Sequence, residues 1–202
     1  HTITVTCADD AGATASDSYV LTVTNVNDAP TISSTAVTAA TEDSAYTYTV
    51  VAADVDSGDT VTLTGTTVPS WLTFTASTGV LAGTPTNSEV GNHAVVITAT
   101  DAAGATVTDS FVIAVANTND APTVASAIAD VTNAEDTAYS LSVSGMCADV
   151  DAGDSLAYTI AGAPSTITIS GTTISGTPVN ADVGTHTITV TCADDAGATA
   201  SD

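Results

Sequence analysis

Between residues 45 and 52 the chain reads AYTYTVVA, with apolar and hydroxyl side chains alternating. The same alternation runs through VTLTG (61–65), WLTFTAS (71–77), GVLAG (79–83), NHAVVITAT (92–100) and SFVIAVAN (110–117). Successive residues of a strand point to opposite faces, so a period of two marks strands buried on one side. The abundance of Val, Ile, Thr and Tyr suits that pleated surface. Clusters of Gly, Asp and Pro punctuate these runs every 8–12 residues or so, and no window carries a helical stripe. About seven short strands in roughly 90 residues predict an all-β fold, a Greek-key β-sandwich.

The pattern repeats at a longer scale. HTITVTCADDAGATASD occupies residues 1–17 and returns unchanged at 186–202. A middle version begins at His93, so the counterpart histidines His1, His93 and His186 lie 92 and 93 residues apart. NDAP at 27–30 and 119–122, TEDSAY at 41–46 beside AEDTAY at 134–139, and ADVDSGD at 53–59 beside ADVDAGD at 148–154 keep the same step. A period this long means whole domains in tandem rather than solenoid rungs. The expected organisation is the last two strands of a preceding repeat over 1–26, a complete repeat over 27–118, and a repeat lacking its final strand over 119–202. An alternative is that the N-terminal hairpin is donated to a neighbouring chain, which would build a polymer.

Charge narrows the function. There are 23 Asp and Glu residues, no Lys or Arg, and three His, a formal net charge of −23. Such a surface repels nucleic acid and has no basic anchor for anionic lipid. No apolar run approaches the roughly 20 residues of a membrane span, so direct membrane insertion is not expected, and no basic leader is recognisable. Carboxylates without protein cations repel one another unless salt screens them or bound cations sit among them.

Cys7 and Cys192 occupy one repeat position, and Cys147 aligns with Ala52 as Cys192 aligns with Ala99. Both cysteines are thus absent together from the middle repeat. Strand parity places Tyr139, Leu141, Val143 and Cys147 on one face, and His186, Ile188, Val190 and Cys192 on another. These are the second and sixth strands, the pair that immunoglobulin domains bridge across the core. A Cys147–Cys192 disulfide is expected, with Cys7 pairing upstream, and disulfides imply an oxidising, extracellular setting.

The densest chemistry lies in DVDSGD (Asp54, Asp56, Asp59) and DVDAGD (Asp149, Asp151, Asp154). Aspartates two apart ahead of a glycine form tight loops with converging carboxylates, and Ca²⁺ takes 6–8 such oxygens. Acidic pairs at Glu42–Asp43 and Glu135–Asp136, late aspartates at 101 and 194, and Asn–Asp junctions at 27–28 and 119–120 accompany them. This order of motifs resembles cadherin repeats, and especially bacterial cadherin-like and dystroglycan-type modules, over nearly the whole chain.

The resemblance implies Ca²⁺ at the joints between successive repeats. One joint would use Glu42, Asn117, Asn119, Asp120, Asp149, Asp151 and Asp194. The preceding joint would use Asn25, Asn27, Asp28, Asp54, Asp56 and Asp101, with its Glu supplied from upstream. The linker departs from the family: NDAP replaces NDNAP, and Asn25 and Asn117 stand where Asp is usual. No mid-module D-R-E is recognisable, Glu89 being a distant substitute. Fewer carboxylates imply one or two ions per joint, at the roughly 10⁻⁴–10⁻³ M affinity of extracellular modules.

No catalytic activity is expected. The three histidines share one repeat position and parity with the apolar face, which suits a structural role. No Ser or Thr sits in a nucleophile elbow or beside a placed base. The expected function is an extracellular structural or adhesive array, in which Ca²⁺ between neighbouring repeats rigidifies a rod extending from the cell surface. The alternatives are a filament or sheath subunit assembling with other copies by strand or hairpin donation, and an adhesin module binding a cell-surface glycan near Trp71.

Overall fold

The computed structural model describes residues 1–202. It contains strands and two 3-10 turns, Asn87–Glu89 and Asn180–Asp182, and no helix is long and apolar enough to cross a membrane. At the N-terminus, β1 (Thr2–Ala8) and β2 (Thr14–Val20) form an antiparallel hairpin in register from Thr2↔Val20 to Ala8↔Thr14.

Within the first repeat lie β3 (Thr31–Ile32), β4 (Ala39–Thr41), β5 (Tyr46–Thr49), β6 (Ala52–Ala53), β7 (Thr62–Thr67), β8 (Leu72–Thr75), β9 (Val80–Gly83), β10 (Gly91–Thr100) and β11 (Thr106–Ala116). They form sheets ordered β4-β11-β10-β7, β5-β9-β8 and β3-β6. The pairing of β4 with β11 is parallel, Ala39 to Thr41 lying beside Ala114 to Ala116. The second repeat has β12 (Thr123–Val124), β13 (Tyr139–Ser142), β14 (Cys147–Ala148), β15 (Ala157–Ala161), β16 (Ile167–Ser170), β17 (Thr173–Gly176), β18 (Thr189–Ala193) and β19 (Thr199–Ser201). Its sheets run β13-β17-β16, β15-β18-β19 and β12-β14. The fold is all-β, tandem β-sandwich repeats, as the alternation predicts.

That alternation becomes burial directly. In β10, Val95, Ile97 and Ala99 are buried, while Val96, Thr98 and Thr100 between them are half-exposed. Tyr46, Tyr48, Val50, Leu72, Leu81, Ile113 and Val115 complete the buried apolar set of the first repeat. The Tyr48 ring meets Phe111 edge-on at 5.4 Å between centroids, and its hydroxyl donates to Asp109 Oδ2 at 2.7 Å. In the second repeat Val143, Met146, Ile167, Ile174 and Val190 cluster with Cys147 and Cys192, and those two cysteines form the expected disulfide. Between β8 and β9, Gly79 has φ +70° and a Cβ there would lie 2.4 Å from the Val50 carbonyl oxygen, so glycine is required.

Two compact units emerge, one of residues 1–38, 47–82 and 94–113, the other of 39–46, 83–93 and 114–202. The second unit therefore gathers the acidic turn at Glu42, the 3-10 turn at Asn87 and the whole of the second repeat.

Candidate metal centres

Each aspartate loop is built from its own side chains. Asp54 Oδ1 accepts from the Asp56 amide at 2.8 Å, and Asp149 Oδ1 from the Asp151 amide at 2.9 Å, an Asx turn in both cases. The chain then reverses through Gly58 (φ +90°) and Gly153 (φ +103°), a left-handed conformation that explains the glycine behind each pair. These turns converge the carboxylates: Asp54, Asp59 and Asp101 offer oxygens within 4.8 Å of one another, and so do Asp149, Asp151 and Asp154.

A third cluster joins distant segments of the second unit: Glu42, Asp120 and Asp151 also offer oxygens within 4.8 Å. The Glu42 turn owes its shape to Asp43, held at φ +57° with its amide on the Pro85 carbonyl; Asp136 repeats this at φ +58° on Pro178. Asp tolerates that left-handed geometry better than most residues. Glu42 is only 1% exposed. Its Oε1 accepts from the Thr118 amide, and its Oε2 is buried without a hydrogen-bond partner. Asp151 Oδ1 accepts from Asn87 Nδ2 at 2.8 Å, while Oδ2 accepts from the Asp120 amide at 2.7 Å.

The late aspartates are anchored differently. Asp194 Oδ1 accepts from the Ala198 amide at 2.8 Å and Oδ2 from Asn119 Nδ2 at 2.9 Å; Asp101 repeats both bonds with Ala105 and Asn27. The asparagine bond is the largest influence holding each of these carboxyls below its ordinary pKa. A depressed carboxyl stabilises the fold above its unfolded pKa of about 3.9 and loses that contribution as pH falls through the folded value. Asn119→Ala is therefore expected to lower the melting temperature by a few degrees at neutral pH. The gap from wild type should close in melts below about pH 4.

Asp120 and Asp154 are pushed the other way. Burial raises both first, reinforced for Asp120 by Asp151, Asp43 and Asp149, and for Asp154 by Asp149, Asp195, Asp151 and Asp194. Oxygens crowded together without protons or cations favour protonation or a bound ion.

Of the residues singled out from the sequence, Glu42, Asp120 and Asp151 come together, Asp149 joins Asp151 in a second cluster, and Asp54 meets Asp101. Asp56 takes a supporting place, its Oδ2 accepting from the Asp28 amide at 2.8 Å. Asp28 meets it through backbone, while Asn27 and Asn119 reach Asp101 and Asp194 through their amide groups. Asn25 and Asn117 are exposed. Three participants were missed, Asp59, Asp154 and Asn87. The first two stand in the quoted motifs; Asn87 had one signal, its recurrence as Asn180.

Glu89 closes its own turn instead of facing a cluster, its Oε2 accepting from the Thr86 amide at 2.8 Å and the Thr86 hydroxyl at 2.7 Å. The histidines serve the same turns: His93 Nε2 lies 2.6 Å from the Glu89 carbonyl oxygen and His186 Nε2 lies 2.8 Å from that of Asp182. Trp71 is half-buried.

The donor set is oxygen throughout, which suits a hard cation such as Ca²⁺. Glu42 Oε2, Asp54 Oδ2, Asp149 Oδ2 and Asp154 Oδ2 are buried without hydrogen-bond partners, and the chain has no Lys or Arg to meet them. Buried charge without compensation is expensive, so these residues fit a bound cation.

The profile of the family described as "Putative Ig domain" matches residues 29–116 and again 121–202. The chain belongs to this Ig-like family. It is 36% identical over 152 residues to the "Serine-rich adhesin for platelets" of Staphylococcus aureus strain MSSA476, an alignment covering 73% of this chain and 6% of the adhesin. The homologue from strain MRSA252 is also 36% identical over 152 residues, with 11% of its length covered. The chain thus spans a small part of these relatives. Among solved structures, the Ig-like pair resembles protocadherin Gamma B2 extracellular cadherin domains 1–5, with a TM-score of 0.63 at 15% identity over 100% of this chain and 43% of that one. Protocadherin Gamma B7 cadherin domains 1–4 give a TM-score of 0.60 at 18% identity, over 100% of this chain and 56% of that one. At that identity the likeness concerns the fold: a cadherin-like, Ig-like repeat.

Proposed function

We propose that the chain is an extracellular, structural segment of a surface adhesin, in which Ca²⁺ stiffens the junction between successive Ig-like repeats, taken as 27–118 and 119–202. Residues 1–26 belong in this reading to a preceding repeat. The supporting observation is Glu42: a carboxylate 1% exposed, with one oxygen lacking a partner, beside Asp120 and Asp151. Glu42, Asp120 and Asp151 would hold one ion; Asp149 and Asp154, sharing Asp151, would hold or support another. The ion supplies the positive charge that this sequence lacks.

The chain's own residues prepare the place. Asn87 and the Asp120 amide fix the Asp151 carboxylate, Thr118 fixes Glu42, and Asn119 ties the linker to Asp194. With the ion absent, crowded carboxylates push these segments apart. With it present, the linker is clamped and the array becomes a rod that carries a distal binding region away from the cell. In the first repeat Asp54, Asp59 and Asp101 would form a comparable site.

Small-angle scattering with and without chelator tests this reading. Millimolar calcium should lengthen the maximum dimension and sharpen the profile of a stiff particle, and chelator should reverse both. Identical profiles in the two conditions would retire the calcium junction and leave a metal-free spacer.

A further inference from the structure

Asn87 carries a further step, one that rests on the calcium reading. It is the first residue of the 3-10 turn Asn87–Glu89, and other groups close that turn. Glu89 Oε2 accepts from the Thr86 amide and hydroxyl, Ser88 Oγ donates to Glu89 Oε1 at 2.9 Å, and His93 Nε2 meets the Glu89 carbonyl oxygen. The Asn87 side chain is thereby released for a partner 64 positions away, its Nδ2 donating to Asp151 Oδ1 at 2.8 Å. Asn87, Glu42, Asp120 and Asp151 all belong to the second compact unit.

Asp151 is 7% exposed and belongs to both carboxylate clusters of that unit, one with Glu42 and Asp120, the other with Asp149 and Asp154. The Asp120 amide holds its Oδ2, so Asn87 covers the remaining oxygen. The chain has no Lys or Arg to pair with this buried carboxylate, and a neutral amide serves instead. A separate sign of a ligand stands beside it. Glu42, 1% exposed, keeps Oε2 buried without a hydrogen-bond partner, so the donors of the chain satisfy only part of the cluster.

An asparagine carries its acceptor on the same carbon as its donor, so a half-turn about Cβ–Cγ exchanges Oδ1 and Nδ2 in nearly the same place. That place suits a metal ligand. Two oxygens each about 2.4 Å from one Ca²⁺, at the about 72° spacing of a pentagonal plane, lie about 2.8 Å apart. Asn87 Nδ2 and Asp151 Oδ1 are separated by 2.8 Å. Two oxygens at that distance repel each other without a cation and are held together by one. An empty site therefore favours nitrogen toward Asp151, and a filled site favours oxygen.

We propose that Asn87 is itself a ligand of the ion held by Glu42, Asp120 and Asp151, its amide turning over as the ion enters. In the empty site the nitrogen stands in for the missing positive charge; in the filled site Oδ1 completes the oxygen set. The charge count of the ligands tunes calcium affinity. A neutral oxygen at this position leaves the site weaker than a carboxylate would, so Asn87 sets the calcium concentration at which the site fills.

Calcium titration of the full 202-residue chain, followed by NMR, tests this. The Asn87 side-chain amide signals, identified by their absence from Asn87→Asp, report the turnover. The Thr118 amide, which donates to Glu42 Oε1, reports filling of the same site in every variant. Calcium should move the Asn87 amide protons upfield as their bond to the carboxylate is given up, with the midpoint of the Thr118 signal. Asn87→Ala should shift the Thr118 midpoint to about tenfold higher calcium, and Asn87→Asp to about tenfold lower. In chelator both variants should melt below wild type, Asn87→Asp the lower of the two, because its carboxylate faces Asp151 without a donor. An amide that only positions Asp151 through its N–H would make Asn87→Asp bind as weakly as Asn87→Ala. That result overturns the proposal and leaves the calcium junction standing, as would Asn87 signals indifferent to calcium while Thr118 moves. A wild-type Thr118 signal unmoved by millimolar calcium overturns the calcium reading and this inference with it.

Discussion

Replacing Cys147 and Cys192 together by alanine is expected to cost the second repeat about 4 kcal/mol, the loop-closure value for a bridge of this span. The residues are separated by 45 positions, and both sulfurs sit within the core cluster with Val143, Met146, Ile167, Ile174 and Val190. The alanine pair is not foreign to the fold, because Ala52 and Ala99 occupy the same places in the first repeat, and Ala99 is fully buried there. What differs is the rest of the core. The first repeat buries Tyr46, Tyr48, Leu72, Leu81, Ile97, Ile113 and Val115, whereas the second leaves Tyr139, Leu141 and Ile160 half-exposed around a smaller set. The bridge adds to the second repeat a covalent constraint between β14 and β18 that the first repeat does without. Calorimetry should show one transition moving down by many degrees and the other staying in place, with reduced wild type matching the double variant. A loss below about 1 kcal/mol would mean the thiols act only as small core residues.

The strands and their facing were legible because each rests on local alternation: Val95, Ile97 and Ala99 had to share a side. The breaks were less so. The run AYTYTVVA ends as a strand at Thr49, because the Val50 amide turns to the Gly79 carbonyl and the Val51 amide to the Ser34 hydroxyl, neither visible from alternation. Comparing repeats revealed the disulfide, since two positions changed together. The carboxylate loops were readable as motifs, yet which oxygens converge depended on the turn at Gly58 and Gly153, and that brought in Asp59 and Asp154. Asn87 was opaque for another reason: its partner Asp151 is 64 residues away and joins it only through folding. The histidines illustrate the limit of parity. Their parity matches the apolar side, yet His93 near the start of β10 and the exposed His186 ahead of β18 each lie against a turn carbonyl, so these two tie turns rather than fill a core.

Asp154→Asn should have opposite effects in chelator and in calcium, and the reversal separates a metal ligand from a structural acid. Asp154 Oδ2 is buried without a partner, and burial together with Asp149, Asp195, Asp151 and Asp194 raises its pKa. A carboxyl raised in the folded state penalises folding at neutral pH, and the penalty disappears as pH falls through its raised value toward the unfolded one near 3.9. In chelator, therefore, the amide should melt at or above the wild-type temperature at pH 7, and the difference should shrink on acidification. This window lies above the one in which Asp101 and Asp194, depressed by Asn27 and Asn119, withdraw their support. In calcium the order inverts. At ten times the dissociation constant an ion adds about 1.4 kcal/mol per site to the wild type, while the variant has exchanged a charged oxygen for an amide and should bind about tenfold more weakly. Calcium titrations followed by melting, at two pH values, read both halves. A variant that melts below wild type equally with and without calcium would assign Asp154 to the loop's own architecture and remove it from the ion's surroundings.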